Sequence, residues 1–202
     1  MRDRLRSRLV AFALLSAALL TGGCWRGSVT GGSLTIGSTD ADGVRVSGEL
    51  AHGAYAADAG GEPVFTVSNV PYEQLRDGEV ETAQILYAAL LWRPKPGQTP
   101  LDPTATNVSL EYVILSRGEM GVYGGGGFAR PLGDPGDPEL GLAIESSTLR
   151  LIRATAGFVD RLGHTRVTGV LRAERQPALA RRMRQAVDAL ERRAFQTATT
   201  ED

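Results

Sequence analysis

The sequence predicts a mostly β protein of the α+β class, an antiparallel sandwich or bent sheet packed with a C-terminal amphipathic helix. Three observations lead to this prediction. Apolar and polar residues alternate in many short segments between residues 33 and 172, which is the period of half-buried strands. Glycine and proline, 25 and 10 in number, place turn signals between these segments. Only after residue 176 does the spacing become that of a helix.

The first predicted strands lie at residues 33–37, 43–50 and 64–70. Pro71 ends the third strand, and residues 76–78 have the composition of a turn. Alternation divides the second strand into two faces, the apolar one formed by Val44, Val46 and Leu50 and the polar one by Arg45, Ser47 and Glu49.

Residues 80–92 fit two descriptions. Ile85, Ala88 and Trp92 would share one side of a helix together with Ala89, but no N-cap residue precedes them. We favour a long strand, because residues 107–116, beyond a proline-rich loop, are a clear strand partner. The apolar side of that partner is formed by Val108, Leu110, Tyr112 and Ile114.

The last third begins with strands predicted at residues 140–144, 148–153 and 166–172, the second of which could instead open a short helix. Pro177 then stands where a first-turn proline belongs. A helix is predicted over residues 177–195 because apolar residues recur there at helical spacing: Leu179, Met183, Val187, Leu190 and Ala194. Residues 33–196 are expected to form one domain, and residues 197–202 a frayed tail.

The N-terminal segment has the pattern of a secretory signal. A basic stretch with Arg2, Arg4, Arg6 and Arg8 precedes an uncharged apolar run at residues 9–20, which is too short to cross a bilayer. Small residues at 21–23 follow, and then Cys24, the only cysteine. This arrangement resembles the lipobox of bacterial lipoproteins, with the aliphatic Leu20 one place further from the cysteine than in the commonest pattern.

The resemblance implies a location and an anchor. Residues 1–23 would be removed as a signal peptide, and Cys24 would carry the lipid, including palmitate, at the new N-terminus. Residues 24–32 would form a glycine-rich tether. Trp25 is not the aspartate that commonly retains lipoproteins at the inner membrane, so the resemblance favours the periplasmic face of the outer membrane.

Composition excludes some classes of function. Four of the 22 basic residues but only one of the 23 acidic residues lie before Cys24, so the mature chain would have a net charge near −4. Nothing in this balance indicates nucleic acid as a partner. A single cysteine cannot form an internal disulfide, so the domain must be stabilised by packing.

Charge is unevenly distributed along the chain. Residues 145–195 contain eleven arginines and five acidic residues. The predicted helix carries many of them: Arg181, Arg182, Arg184, Arg192 and Arg193. A solvated helix face accounts for such a run, and the alternative is a basic face that contacts an anionic surface or an acidic protein partner.

The glycine run at residues 124–127 is the most conspicuous candidate for ligand binding. A phosphate-binding loop would need Gly-Lys-Ser/Thr after it, but Phe128, Ala129 and Arg130 follow. The dinucleotide-binding spacing is also missing, because position 129 is not glycine. We therefore expect the run to mark a bulge, a bend or a close backbone crossing.

The supply of catalytic and metal-binding residues is poor. His52 and His164 are the only histidines, and no His-x-x-x-His zinc motif occurs. A triad of His164, Asp160 and a serine can be written down, but no Gly-x-Ser-x-Gly motif supports it. Two acidic clusters are compatible with calcium loops but also with ordinary turns: Asp40 with Asp42, and Asp134 with Asp137 and Glu139.

From these observations we predict no catalytic site, no bound metal and no cofactor. The chain is expected to be a membrane-anchored cell-envelope lipoprotein that acts as a non-enzymatic binding or structural module. The alternative is an envelope hydrolase with an unrecognised site. A carrier that holds small apolar ligands inside a curved sheet is a variant of the first prediction.

Overall fold

The computed structural model describes residues 30–40, 43–95, 97 and 105–197, so the predicted signal segment and Cys24 lie outside the described residues. Within these ranges the chain forms nine strands and two helices. In chain order they are β1 (Gly31–Ser38), β2 (Arg45–Leu50), β3 (His52–Ala57), β4 (Pro63–Ser68), α1 (Tyr72–Asp77), β5 (Thr82–Leu90), β6 (Val108–Ser116), β7 (Glu119–Leu132), β8 (Glu139–Ala154), β9 (Thr165–Glu174) and α2 (Pro177–Thr197).

All nine strands belong to one antiparallel sheet, in the order β2-β1-β9-β8-β7-β6-β5-β4-β3. The two edge strands, β2 and β3, are consecutive in the chain and are separated only by Ala51. The sheet must therefore curl until its edges approach each other. A parallel bridge between Tyr55 and Arg175 joins β3 to the end of β9 and helps to hold the nearly closed shape. The predicted class, mostly antiparallel β with a bent sheet and a C-terminal helix, is confirmed.

The interior of the sheet is filled with large apolar side chains. Tyr55, Phe65, Tyr112 and Tyr123 are at most 1% exposed and belong to one cluster with aliphatic residues from other strands. The hydroxyls of the three tyrosines find partners; Tyr112, for example, donates to Gln84 Oε1 at 2.9 Å. An interior occupied in this way favours a structural core over the carrier alternative.

Helix α2 covers part of the outer surface of the sheet. Met183, Val187 and Leu190 are buried in a second apolar cluster against outward-facing side chains of the sheet and Leu75 of α1. The sheet side chains in this cluster are Ala83, Ile85, Val113, Leu115, Met120 and Val122. We call this part of the outer surface the covered face. The amphipathic helix is thus part of the core, as its apolar stripe predicts.

Several predicted boundaries change in the structure. Residues 80–92 do contain a strand, β5, but residues 140–153 form a single strand, β8, with bulges at two places, rather than two strands or a strand and a helix. The turn expected at residues 76–78 is the end of α1, whose C-cap Gly78 has a φ of 73°. Strand β3 has no counterpart among the predicted strands.

The described part of the chain contains no helix of the length and apolarity needed to cross a membrane. Strand β1 begins at Gly31, inside the predicted tether of residues 24–32.

Candidate binding face

The outer surface that α2 leaves uncovered differs in chemistry from the covered face. It is formed by the outward-facing residues of β2, β1, β9 and β8 and by the glycine-rich part of β7, and we call it the open face. Small polar side chains and arginines dominate it: Arg45, Ser47, Glu49, Ser33, Thr35, Arg166, Thr168, Arg172, Ser146, Thr148 and Arg150. Two exposed apolar side chains, Val170 and Ile152, also lie on this surface. The polar majority suits it to polar contacts.

Cross-strand register places arginines in a row on the open face. Gly37 of β1 lies opposite Arg45 of β2 on one side and opposite Arg166 of β9 on the other. Directly opposite residues of antiparallel strands point to the same face, so both arginines project outward. Two strand spacings separate them, about 10 Å. No side chain stands between them, because a Cβ built on Gly37 would meet nothing within 4 Å.

The row continues across the next strands. Arg166 lies opposite Thr148 of β8, and Arg150 follows two residues later on the same face. Six other described arginines have carboxylate partners, such as Arg130 with Glu145. Among the described residues, Arg45, Arg150 and Arg166 have none and lie on one face of neighbouring strands. Like charges gathered without acidic partners repel each other, and an anion would relieve that repulsion.

A surface cleft of about 300 Å³ opens at the end of this row. Its walls come from the residue that follows β1, the middle of β7 and β8, and the start of β9 with the residue before it. The lining residues are Thr39, Gly124, Gly125, Thr148, Leu149, Arg150, His164 and Thr165. Two of the hydroxyls are already committed, since Thr39 Oγ1 donates to the carbonyl of His164 at 2.9 Å and Thr165 Oγ1 to that of Leu149 at 3.2 Å.

The glycine run lies within β7, between two irregularities of its pairing with β8, at residues 122/123 and 128/129. A Cβ on Gly125 would stand 2.0 Å from the carbonyl oxygen of Thr148, and one on Gly127 2.0 Å from that of Ser146. The backbones of β7 and β8 therefore approach too closely for side chains at these positions. This is the close approach between bulges that the sequence suggested, and it also leaves Gly124 and Gly125 as part of the cleft wall.

The loop between β8 and β9 closes one end of the sheet. Asp160 Oδ1 accepts hydrogen bonds from the Tyr123 hydroxyl at 2.7 Å and from the N–H groups of Leu162 and Gly163 at 2.9 and 3.0 Å. Partial burial tends to raise the pKa of Asp160, but these bonds, with the charge of His164, hold it below its ordinary value. Burial first, and then the bond to Asp160, raise the pKa of the Tyr123 hydroxyl.

His164 and Asp160, two members of the triad considered from the sequence, lie close enough to interact electrostatically. The Oδ1 atom of Asp160, however, is hydrogen-bonded to N–H groups of its own loop. The other histidine, His52, begins β3 opposite Ser68, whose hydroxyl donates to the carbonyl of Val70. Asp137 of the second acidic cluster accepts the N–H of Asp134 at 2.9 Å, which is turn chemistry. Among the described residues, no group of three or more His, Cys, Asp and Glu side chains is placed to hold a metal ion.

The arginines of α2 fall into different environments. Arg184 is half-buried, where it pairs with Glu111 and Asp188 and lies over the ring of Tyr87. Arg182 lies over the ring of Tyr72, and Arg193 is beside Gly78 of α1. The other two arginines of the predicted basic face, Arg181 and Arg192, are exposed. Arg184 therefore helps to hold the helix on the sheet.

Comparison of the chain with protein-family models, with curated proteins and with solved structures finds no match. The candidate site consequently stands on geometry alone. Sequence reasoning named Arg45 only as part of a polar strand face and did not single out Arg150 or Arg166. Strand alternation could have placed each on an exposed face, but the row itself depends on pairing between β2, β1, β9 and β8.

Proposed function

We propose that the protein is a lipid-anchored component of the bacterial cell envelope and acts as a non-enzymatic binding module whose open face receives the ligand. The observation that carries this proposal is the division of the outer surface. The covered face is apolar and is sealed by α2, whereas the open face presents unpaired arginines among threonines and serines. Among the residues that the structure describes, no acidic side chain stands between the arginines in the row from Arg45 to Arg150, whereas an ordinary solvated surface intersperses both signs of charge.

The anchor rests on the lipobox-like sequence that ends at Cys24. A lipid on this residue would lie only seven positions before Gly31, where β1 begins. The anchored end of the sheet would then be the end at which Gly31 pairs with Arg172. The unpaired arginine row is at the other end of the same strand, which supports a face directed away from the anchor.

The alternative of an envelope hydrolase would need His164 to activate a nucleophile. The cleft offers the hydroxyls of Thr39, Thr148 and Thr165, of which the first and third donate to backbone carbonyls. Asp160, the natural partner of the histidine, accepts three bonds from the loop and Tyr123. Because two of these hydroxyls and this carboxylate already form hydrogen bonds within the protein, the geometry favours binding over catalysis.

Metabolic labelling with an alkynyl palmitate analogue tests the anchor. The unaltered chain should incorporate the label and sediment with membranes, and Cys24→Ser should lose both properties. A Ser28→Ala variant, changed within the same tether, serves as the matched control and should behave as the unaltered chain. Label retained on Cys24→Ser would overturn the lipoprotein proposal.

Co-sedimentation tests the open face. The full chain, purified in a non-ionic detergent, is mixed with protease-treated envelope fragments. We expect salt-sensitive binding that is lost in the triple variant Arg45→Gln/Arg150→Gln/Arg166→Gln. The double variant Arg181→Gln/Arg192→Gln removes exposed charge from α2 and should bind normally. Equal binding by all three proteins would contradict the assignment of the open face.

A further inference from the structure

We propose that the cleft at the end of the open face binds the phosphate group of a soluble phosphate ester. This inference rests on the proposed function and specifies the ligand class for the same surface. The side chains that line the cleft come from several parts of the chain, including the residue that follows β1, the middle of β8, and residues 164 and 165 where β9 begins.

The side chains in and beside the cleft match the hydrogen-bonding needs of a phosphate. Arg150 brings a guanidinium fork, whose donors fit two oxygens of a phosphate at once. Thr148 brings a hydroxyl and His164 an imidazole, both in the lining of the cleft. Arg166 lies opposite Thr148 in the sheet and next to the lining residue Thr165, so it carries a second guanidinium on the same face.

Two glycines form part of the wall, and an apolar side chain stands beside one of them. Gly124 and Gly125 of β7 are among the lining residues. Ile152 stands beside Gly124, since a Cβ built on that glycine would be 3.0 Å from the Ile152 Cδ1 atom. Ile152 is 56% exposed although it is a large aliphatic residue. It therefore offers a contact for the organic part of an ester, which inorganic phosphate lacks.

The electrostatic balance of the cleft favours an anion. Arg45, Arg150 and Arg166 contribute unpaired positive charges on this half of the open face. Two carboxylates, of Asp40 and Asp160, lie on the adjoining loops. Asp160 Oδ1 is occupied by three donors, and Asp40 lies next to Gly163. Arg150 lines the cleft itself, and no aspartate or glutamate is among the described residues that line it.

The position of the cleft favours a soluble ligand over the head groups of the anchoring membrane. Thr39 lines the cleft just after the last residue of β1, whereas the proposed tether enters at Gly31. The strand between them has eight residues and spans about 26 Å. A ligand in the cleft would therefore be held well away from the anchored end.

Isothermal titration tests the proposal on the full chain in a non-ionic detergent at low ionic strength. The probes are inorganic phosphate, glycerol 3-phosphate and phenyl phosphate. We expect saturable binding of all three, tightest for phenyl phosphate. Loss of one charge-assisted contact should weaken binding at least about tenfold in Arg150→Gln and in Arg166→Gln. The matched control, Arg181→Gln on α2, should leave affinity unchanged, and thermal melts should confirm that all three variants fold.

Three results would overturn the inference. They are the absence of saturable binding, binding that is unaffected by Arg150→Gln and Arg166→Gln, and arginine-dependent binding to phosphatidylglycerol vesicles without binding of the soluble esters. If the triple variant abolishes envelope co-sedimentation but no phosphate probe binds, the ligand class is wrong and the proposed function stands. If the fragments also bind equally to all variants, the open face itself is wrong as the binding surface.

Discussion

The two halves of the outer surface show how one curved sheet can serve two purposes. On the covered face, strands β5 to β7 carry Ile85, Val113 and Val122 outward, and α2 shields them from water. On the open face, β8, β9 and β1 place Arg150, Arg166 and Thr35 in the corresponding outward positions. Both halves share one interior. The outward residues of each strand therefore decide whether it receives a helix or faces water and a ligand.

The covered and open faces meet on β8, where one arginine has a carboxylate partner and another has none in the described part of the chain. Arg153 on β8 still reaches α2, where it pairs with Glu191 and lies over the ring of Phe195 at 4.0 Å. Arg150, on the same strand, has no carboxylate partner among the described residues. Within three positions the role of arginine thus changes from holding the helix to facing the cleft.

The largest effect is expected from the covered face. Met183 is fully buried between α2 and the sheet, so Met183→Ala should reduce the free energy of unfolding by about 2–5 kcal/mol. Arg166→Ala on the open face should change it by no more than about 0.5 kcal/mol. Urea unfolding of both variants measures the difference, and similar losses would remove the distinction between the two faces.

A smaller effect is expected where the open face meets the glycine run. Gly125→Ala places a methyl group against the Thr148 carbonyl oxygen, so the backbone must shift, at a cost of about 1–3 kcal/mol. Gly37→Ala is the matched control, because its methyl group would enter open space. Thermal melts of the two variants should differ clearly; equal melting temperatures would show that β7 and β8 can separate at little cost.

Asp160→Asn tests the loop that carries His164 to the cleft. The variant weakens the bonds from Tyr123 and the loop N–H groups, and we expect a loss of about 1 kcal/mol at neutral pH. Because the pKa of Asp160 is lowered in the folded state, its contribution is present above the unfolded pKa of about 4 and disappears as the pH falls through the folded value. The stability difference between variant and parent should therefore shrink in acid. A difference independent of pH would contradict the role of the carboxylate.

The smallest effect, and the only stabilising one, is expected at the edge of the covered face. Desolvation is the largest cause that raises the pKa of Glu191, and the negative charges of Glu111 and Asp188 raise it further. The positive charges of Arg153 and Arg184 lower this pKa but do not cancel the rise. A raised folded pKa means that the ionised carboxyl opposes folding above that value and that stability increases as the pH falls through it.

Glu191→Gln removes the charge but keeps an oxygen for Arg153. The variant should be at least as stable as the parent near pH 8, and its advantage should vanish below a pH of about 4, where the parent carboxyl is protonated in both states. Unfolding curves at the two pH values provide the measurement. A clear loss of stability at pH 8 would mean that the ion pair with Arg153 outweighs the burial of the carboxylate.

The amino-acid sequence by itself determined the class of the fold and its most regular elements. Alternation of residues such as Val108, Leu110 and Tyr112 reports burial of one strand face, and the stripe of Met183 and Val187 reports burial of one helix face. Both signals are local, because each needs only the geometry of one element. The polar faces of β2 and β9 follow from the same rule.

Only the tertiary structure decided what these elements do together. Strand β3 is held by pairing with β4 and by curling of the whole sheet, since its small residues Gly53, Ala54 and Ala56 carry no alternating pattern. The arginine row joins Arg45, Arg166 and Arg150, which are far apart in sequence and meet only through the register of neighbouring strands. Periodicity describes which side of an element is buried, whereas strand order and closure of the sheet decide which exposed sides become neighbours.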